Sequence, residues 1–170
     1  MDSKKQLVAS ALILDGLGRI FVQQRTPTRR LFPGCWDLVG GHVEDNEDVI
    51  SALQREIREE TGWTLRTIRH EISIKAWSDG PNDYEERQFI VDVDGDLQKP
   101  VLEAEKVSGW MWVDRTNVEK LRESRQPGDQ LIYDSVLEAL GIVSVEWPIR
   151  DHAPAVVVRE SGRSSTPRRS

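Results

Sequence analysis

Gly41 to Trp63 reads GHVEDNEDVISALQREIREETGW. Asn46 or Asp45 is placed to cap a helix that begins near Glu47, and Gly62 to end it, because glycine takes the left-handed conformation at helix ends without steric cost. At about 100° per residue, Val49, Ile50, Leu53 and Ile57 form one apolar stripe. Glu56 and Glu60, four residues apart, share a face bordering that stripe, with Glu59 one residue off it. Glutamates serving solubility alone would lie opposite the stripe, beside Ser51, Gln54 and Arg58. Like charges at this spacing weaken a helix by a few tenths of a kcal/mol per pair, so a compensating cation is expected. Mg²⁺ suits the position, since it takes oxygen ligands from a few carboxylates and from substrate phosphates. The plainer alternative is a solvated acidic face steadied by Arg55 and Arg58.

The order Gly41, five residues, Glu47, seven residues, then Arg55-Glu56-Ile57-Arg58-Glu59-Glu60-Thr61-Gly62-Trp63 matches every fixed position of the Nudix box. On these residues the chain resembles the Nudix hydrolase family. The resemblance implies an α/β/α sandwich with a mixed β-sheet. It also implies hydrolysis of a phosphoanhydride bond in a nucleoside diphosphate linked to another group, with Mg²⁺ or Mn²⁺ as cofactor. Carried over residue by residue, Glu56, Glu59 and Glu60 become metal ligands, joined by the backbone carbonyl of Gly41 or Gly40. Arg55 and Glu47 become residues that orient those ligands. Glu59 is one candidate for the base. In some relatives the base is a glutamate on a loop outside the box, and Glu105, with Glu103 behind it, occupies such a loop here.

Length and composition set the outer bounds. With 170 residues and 38% apolar content the chain suits one globular domain, expected at residues 1–145, followed by a tail at 146–170. The formal net charge is −6, which disfavours a general nucleic-acid surface. A phosphate-bearing small molecule stays compatible, because a bound metal reverses the local field. Cys35 is the only cysteine, which fits a reducing, cytoplasmic setting. No stretch approaches the roughly 20 apolar residues of a membrane span. From Arg150 onward five arginines stand against two acidic residues, and Ser161 to Ser170 lacks apolar residues, so disorder is expected there. A homodimer is compatible with all of this.

Along the chain, Leu7 to Leu14 predicts a buried strand, 15–18 a turn and Arg19 to Arg25 the returning strand of a hairpin. Residues 26–34 predict a loop. Thr64 to Ser78 predicts one strand or two with a bend, and Gln88 to Val93 a strand with Ile90 and Asp92 opposite Phe89, Val91 and Val93. Residues 97–107 predict a loop, Trp110 to Val113 a short strand, Arg115 to Glu123 a short helix, and Gln130 to Leu140 a helix stopped by Gly141.

Substrate contacts are expected from Arg25, Arg29 and Arg30, whose guanidinium forks match phosphate oxygens. Trp36-Asp37 is similar to the segment that reads the base in Nudix enzymes acting on oxidised purine nucleotides, and Phe32, Trp77 and Tyr84 are further candidates for stacking. A nucleoside triphosphate, oxidised or not, is the leading substrate, giving monophosphate and pyrophosphate. ADP-ribose or a nucleotide sugar is the next. A non-catalytic nucleotide sensor is disfavoured by the intact glutamates. An isopentenyl-diphosphate isomerase is disfavoured because Cys35 lies several residues too early and the box is intact.

Overall fold

The computed structural model describes residues 5–147, so the expected disordered tail lies outside the described residues. β1 (Gln6–Ile13) runs parallel to β7 (Asn82–Asp94) and antiparallel to β4 (Val39–His42). β5 (Thr64–Glu71) and β6 (Lys75–Asp79) both pair antiparallel with β7, completing a mixed sheet. A second, antiparallel sheet places β2 (Ile20–Arg25) between β3 (Trp36–Asp37) and β8 (Val107–Val113). Helices α1 (Val49–Thr61) and α2 (Pro127–Glu146) cover opposite faces, giving the α/β/α arrangement of the Nudix fold.

Period-two alternation divides the core between the helices. Ala9, Ala11 and Ile13 of β1 and Phe89, Val91 and Val93 of β7 pack with Leu53 and Ile57 of α1. Leu12 and Ile90 point the other way, to Val136, Ala139 and Leu140 of α2. Phe21 and Trp112 continue the α1 side, where Phe21 meets Trp63 edge-on at 5.0 Å. No helix among the described residues is long and apolar enough to cross a membrane.

Four expectations need correction. Leu14 and Ile20 form a single bridge, after which β1 and β2 diverge into different sheets instead of forming a hairpin. The reason is that β4 and β7 already occupy both edges of β1. The α1 cap is Asp48, whose Oδ1 accepts from Ile50 N at 3.0 Å and Ser51 N at 2.9 Å, not Asn46 or Asp45. Glu47 therefore precedes the helix. The buried stripe of α1 is Ala52, Leu53, Ile57 and Thr61, with Val49 partly buried, whereas Ile50 is 37% exposed. Finally, α2 passes through Gly141 because Val143, buried beyond it, continues the apolar face. The segment Arg115 to Glu123 contains a 3₁₀ turn at Val118–Arg122.

Glu138 ties α2 to the bend between β5 and β6. It accepts from Ser73 N at 2.8 Å, Ser73 Oγ at 2.6 Å and Lys75 Nζ at 2.7 Å. Burial opposes ionisation here, but the Lys75 ammonium and the Ser73 donors win and hold the carboxyl at about 2. Since the folded value lies below the ordinary 4.5, the stability it contributes is complete above 4.5 and is lost as pH falls toward 2. The side chain is 31% exposed, so screening limits the contribution to about 1 kcal/mol. Urea unfolding of Glu138→Gln is expected to show that deficit at pH 7, and the deficit should close between pH 4.5 and 2.

Candidate functional site

The acidic face of α1 is organised by one guanidinium. Arg55 donates from Nε to Glu47 Oε1 at 2.9 Å, from Nη2 to Glu47 Oε2 at 3.0 Å and to the His42 carbonyl at 3.0 Å. Its Nη1 donates to Glu56 Oε1 at 2.7 Å and Glu59 Oε2 at 3.3 Å. Glu47 thus grips Arg55 bidentately, and Arg55 in turn fixes Glu56. Glu60 lies deeper. Its Oε2 accepts from Gly40 N at 2.9 Å and from Gln23 Nε2 at 3.1 Å.

Burial is the main reason both carboxyls resist ionisation. Desolvation raises the Glu56 pKa above its ordinary value. For Glu60, burial with the nearby Asp37 and Glu56 carboxylates pushes the pKa to about 8, against the donors Gly40 N–H and Gln23. The paired glycines let the strand come this close. A Cβ at Gly40 would stand 2.4 Å from the Ala9 carbonyl oxygen, and one at Gly41 would stand 2.4 Å from Glu56 Oε1.

Crowded hard-oxygen donors beside an open backbone suit a divalent cation. Glu56 against Gly41 and Glu60 against Gly40 form one wall, and Glu59, 55% exposed, stands next to it on α1. Among the described residues no three His, Cys, Asp or Glu side chains already converge as a cation cage. Arg55 holds Glu56 Oε1 and Glu59 Oε2 in that space. The donor set fits Mg²⁺ or Mn²⁺ in type and in its excess of negative charge.

Beside this wall opens a cavity of about 170 Å³, lined in part by Gly40, Gly41, Asp37, Glu86, Trp77 and Phe32. Phe32 meets Trp77 edge-on at 5.5 Å, and Trp77 stacks on Tyr84 at 3.9 Å. Trp36 also lines the cavity while packing against the α2-side core. Arg25 lines it but is committed elsewhere: Nη1 donates to Asp37 Oδ2 at 2.9 Å and Nε to the Leu31 carbonyl at 2.7 Å. Burial, with Glu86 nearby, pushes Asp37 up to about 6, against the attraction of Arg25. Arg29 lines the cavity with no side-chain hydrogen bond or ion pair among the described residues, while Arg30 pairs with Asp79 at 3.1 Å.

Two further expected residues stand apart from this cluster. Glu105 is exposed and makes no side-chain bond among the described residues; its carbonyl accepts from Thr26 Oγ1 at 3.1 Å. Glu103 pairs with Lys106 at 2.7 Å. Cys35 is 1% exposed with its Sγ 3.5 Å from Ser124 Oγ, and burial pushes the thiol pKa up, which disfavours a nucleophilic thiolate.

Sequence reasoning missed Gln23 and Glu86. Gln23, 4% exposed, holds Glu60, and Glu86, 6% exposed, points into the cavity. Gln23 follows the apolar run Ile20-Phe21-Val22, a weak sign of a buried polar side chain, whereas Glu86 stands between Glu85 and Arg87 and carries no such sign.

The NUDIX domain family model matches residues 4–135. An 8-oxo-dGTP diphosphatase of Proteus vulgaris is 42% identical over 78 residues, a match covering 42% of this chain and 69% of that protein. The nucleoside triphosphatase NudI of Salmonella typhimurium is 48% identical over 59 residues, and the match spans 31% of this chain and 42% of that protein. The chain therefore spans less than half the length of NudI. A solved MutT protein from Methanosarcina mazei Go1 superposes with a TM-score of 0.66 at 20% identity, covering 79% of this chain and 94% of that one, which shows the fold.

Proposed function

Because the chain belongs to the Nudix hydrolase family, we propose that it cleaves a nucleoside triphosphate to the monophosphate and pyrophosphate with the help of Mg²⁺ or Mn²⁺. The supporting observation is the adjacency of the Glu56, Glu60 and Gly41 wall to an aromatic cavity that Gly40 and Gly41 also line. The names of the Proteus and Salmonella relatives point to the same substrate class.

Glu56, Glu59 and Glu60, with the Gly41 carbonyl, would hold the cation. When bound, the cation supplies neutralisation of phosphate charge and polarisation of the attacking water. Arg55, gripped by Glu47, keeps Glu56 in place. Arg29, without an ion pair among the described residues, is available to the phosphates, and Trp36 with Asp37 borders the base. In the reaction the water oxygen bonds to phosphorus, the bridging P–O bond breaks, pyrophosphate leaves and the water proton passes to a glutamate. Glu59 is the base in this reading, since it is on α1 beside the ligand wall and shares Arg55 with it, whereas Glu105 stands on a separate loop, where its carbonyl meets Thr26.

Glu105→Gln is accordingly expected to leave kcat within about threefold of the parent, and a drop on the order of a hundredfold with unchanged Mn²⁺ affinity would transfer the role to it. The substrate itself is tested by a release screen with Mg²⁺ and with Mn²⁺ over ordinary and oxidised nucleoside triphosphates, ADP-ribose, dinucleoside polyphosphates and nucleotide sugars. A triphosphate cleaved far faster than the rest is the expected result. No cleavage of any, with tight binding of one nucleotide, would show a sensor instead.

A further inference from the structure

Each carboxylate of the ligand wall has one oxygen held by the chain and one left over. Glu60 Oε2 accepts from Gly40 N at 2.9 Å and from Gln23 Nε2 at 3.1 Å. Glu56 Oε1 accepts from Arg55 Nη1 at 2.7 Å, and Glu59 Oε2 from the same nitrogen at 3.3 Å. Glu60 Oε1, Glu56 Oε2 and Glu59 Oε1 accept no hydrogen bond among the described residues. Of the groups that cap these oxygens, Gln23 is the one whose placement is costly. It follows Ile20, Phe21 and Val22 on β2 and is 4% exposed, with Asp37 opposite it on β3 and Trp110 opposite it on β8. Its own Oε1 is buried with no hydrogen-bond partner among the described residues. The reverse amide orientation would set that oxygen against Glu60 Oε2, so the orientation that serves Glu60 leaves an acceptor orphaned. A buried polar atom without a partner is destabilising, and an apolar side chain at this place in the strand would avoid it. Stability therefore does not account for Gln23, whereas a task at Glu60 does.

Resting on the cation reading above, we propose that Gln23 is a positioning residue that confines Glu60 to coordination through Oε1 alone, and that it thereby tilts the site toward Mg²⁺ or Mn²⁺ and against Ca²⁺. A carboxylate can bind a cation through one oxygen or through both. Mg²⁺ demands near-ideal octahedral geometry at about 2.0–2.1 Å, and the narrow bite of a two-oxygen carboxylate does not span the right angle of an octahedron. Ca²⁺ is larger, binds at about 2.3–2.6 Å in a looser shell and accepts carboxylates in either mode. For Glu60 to offer both oxygens, Oε2 must leave Gly40 N and Gln23 Nε2. Hydrogen bonds to an ionised carboxylate are strong, so this release weighs against the two-oxygen mode and against the cation that gains most from it. Arg55 caps Glu56 in the same sense but also supplies charge. Gln23 is neutral and acts by geometry alone, which separates its effect on cation choice from any effect on the overall attraction of cations.

Electron paramagnetic resonance of Mn²⁺ with the full chain, in the absence of nucleotide, tests the assignment without needing turnover, since it reads the ion set free as Mg²⁺ or Ca²⁺ displaces it. Gln23→Met keeps the length and neutrality of the side chain and removes the donor to Glu60. In that variant, checked for cooperative melting, Ca²⁺ should gain on Mg²⁺ as a competitor by about tenfold relative to the parent. A general loosening of the fold would weaken both competitors together, so an unchanged Ca²⁺-to-Mg²⁺ ratio in the folded variant overturns the proposal. If Gln23→Met fails to fold, infrared difference spectra with Ca²⁺ decide. The bound carboxylates should show the one-oxygen band, and a two-oxygen band that persists in Glu59→Gln overturns the proposal. Loss of Mn²⁺ binding in Glu60→Gln with an unchanged ratio in Gln23→Met would remove this inference and leave the ligand wall standing. Mn²⁺ binding untouched by Glu60→Gln would remove the wall itself, and this inference with it.

Discussion

Glu60→Gln and Glu56→Gln are each expected to lower kcat on the order of 10³-fold, while the metal-free protein melts no lower than the parent at neutral pH. The two halves of this expectation share one cause. Glu60 is pushed to about 8 by burial and by its acidic neighbours, so near pH 7 in EDTA it is largely neutral, and glutamine reproduces a neutral carboxyl of the same shape. The folded value lies above the ordinary 4.5, so the stability linked to this group is complete below 4.5 and is lost as pH rises through about 8. Glu60→Gln removes that loss. In EDTA at pH 9 the variant should therefore melt higher than the parent, although it has lost a charge that the proposed reaction needs. Near-parental rates in both variants would refute the assigned ligand wall.

The second large effect is expected at Arg55. Its guanidinium satisfies Glu47, Glu56, Glu59 and the His42 carbonyl together. Arg55→Ala leaves those carboxylates facing one another without a cation. The side chain is 25% exposed, so water relieves part of the cost, and a loss of about 2 kcal/mol in urea unfolding is expected. Turnover should fall ten- to hundredfold because Glu56 loses the group that orients it. Arg55→Lys restores the charge but not the five-donor fork, and should recover stability better than turnover. Unchanged stability and turnover in Arg55→Ala would show that this network has no structural or positioning role.

Local spacing made the box helix, the acidic face of Glu56 and Glu60 and the alternating strand around Ile90 legible from sequence. Features decided by distant partners were not. The helix begins one residue after Asp48 because Glu47 is drawn to Arg55, and that pairing depends on the folded loop. Ile50 belongs to the apolar stripe by angle yet is exposed, since the stripe turns toward Ala52 and Thr61. The split of β1 from β2 follows from the parallel partner β7, about 75 residues onward, which no hairpin pattern announces. Gln23 and Glu86 acquire their places only when β2 meets Glu60 and when β7 lies beside Ser10.

The most direct test of the proposed chemistry is phosphorus NMR of one nucleoside triphosphate incubated with the full chain in Mg²⁺ and, separately, in EDTA. Monophosphate and pyrophosphate in Mg²⁺, with intact triphosphate in EDTA, are the predicted result. Orthophosphate as the first product, or the same conversion in both samples, would contradict it.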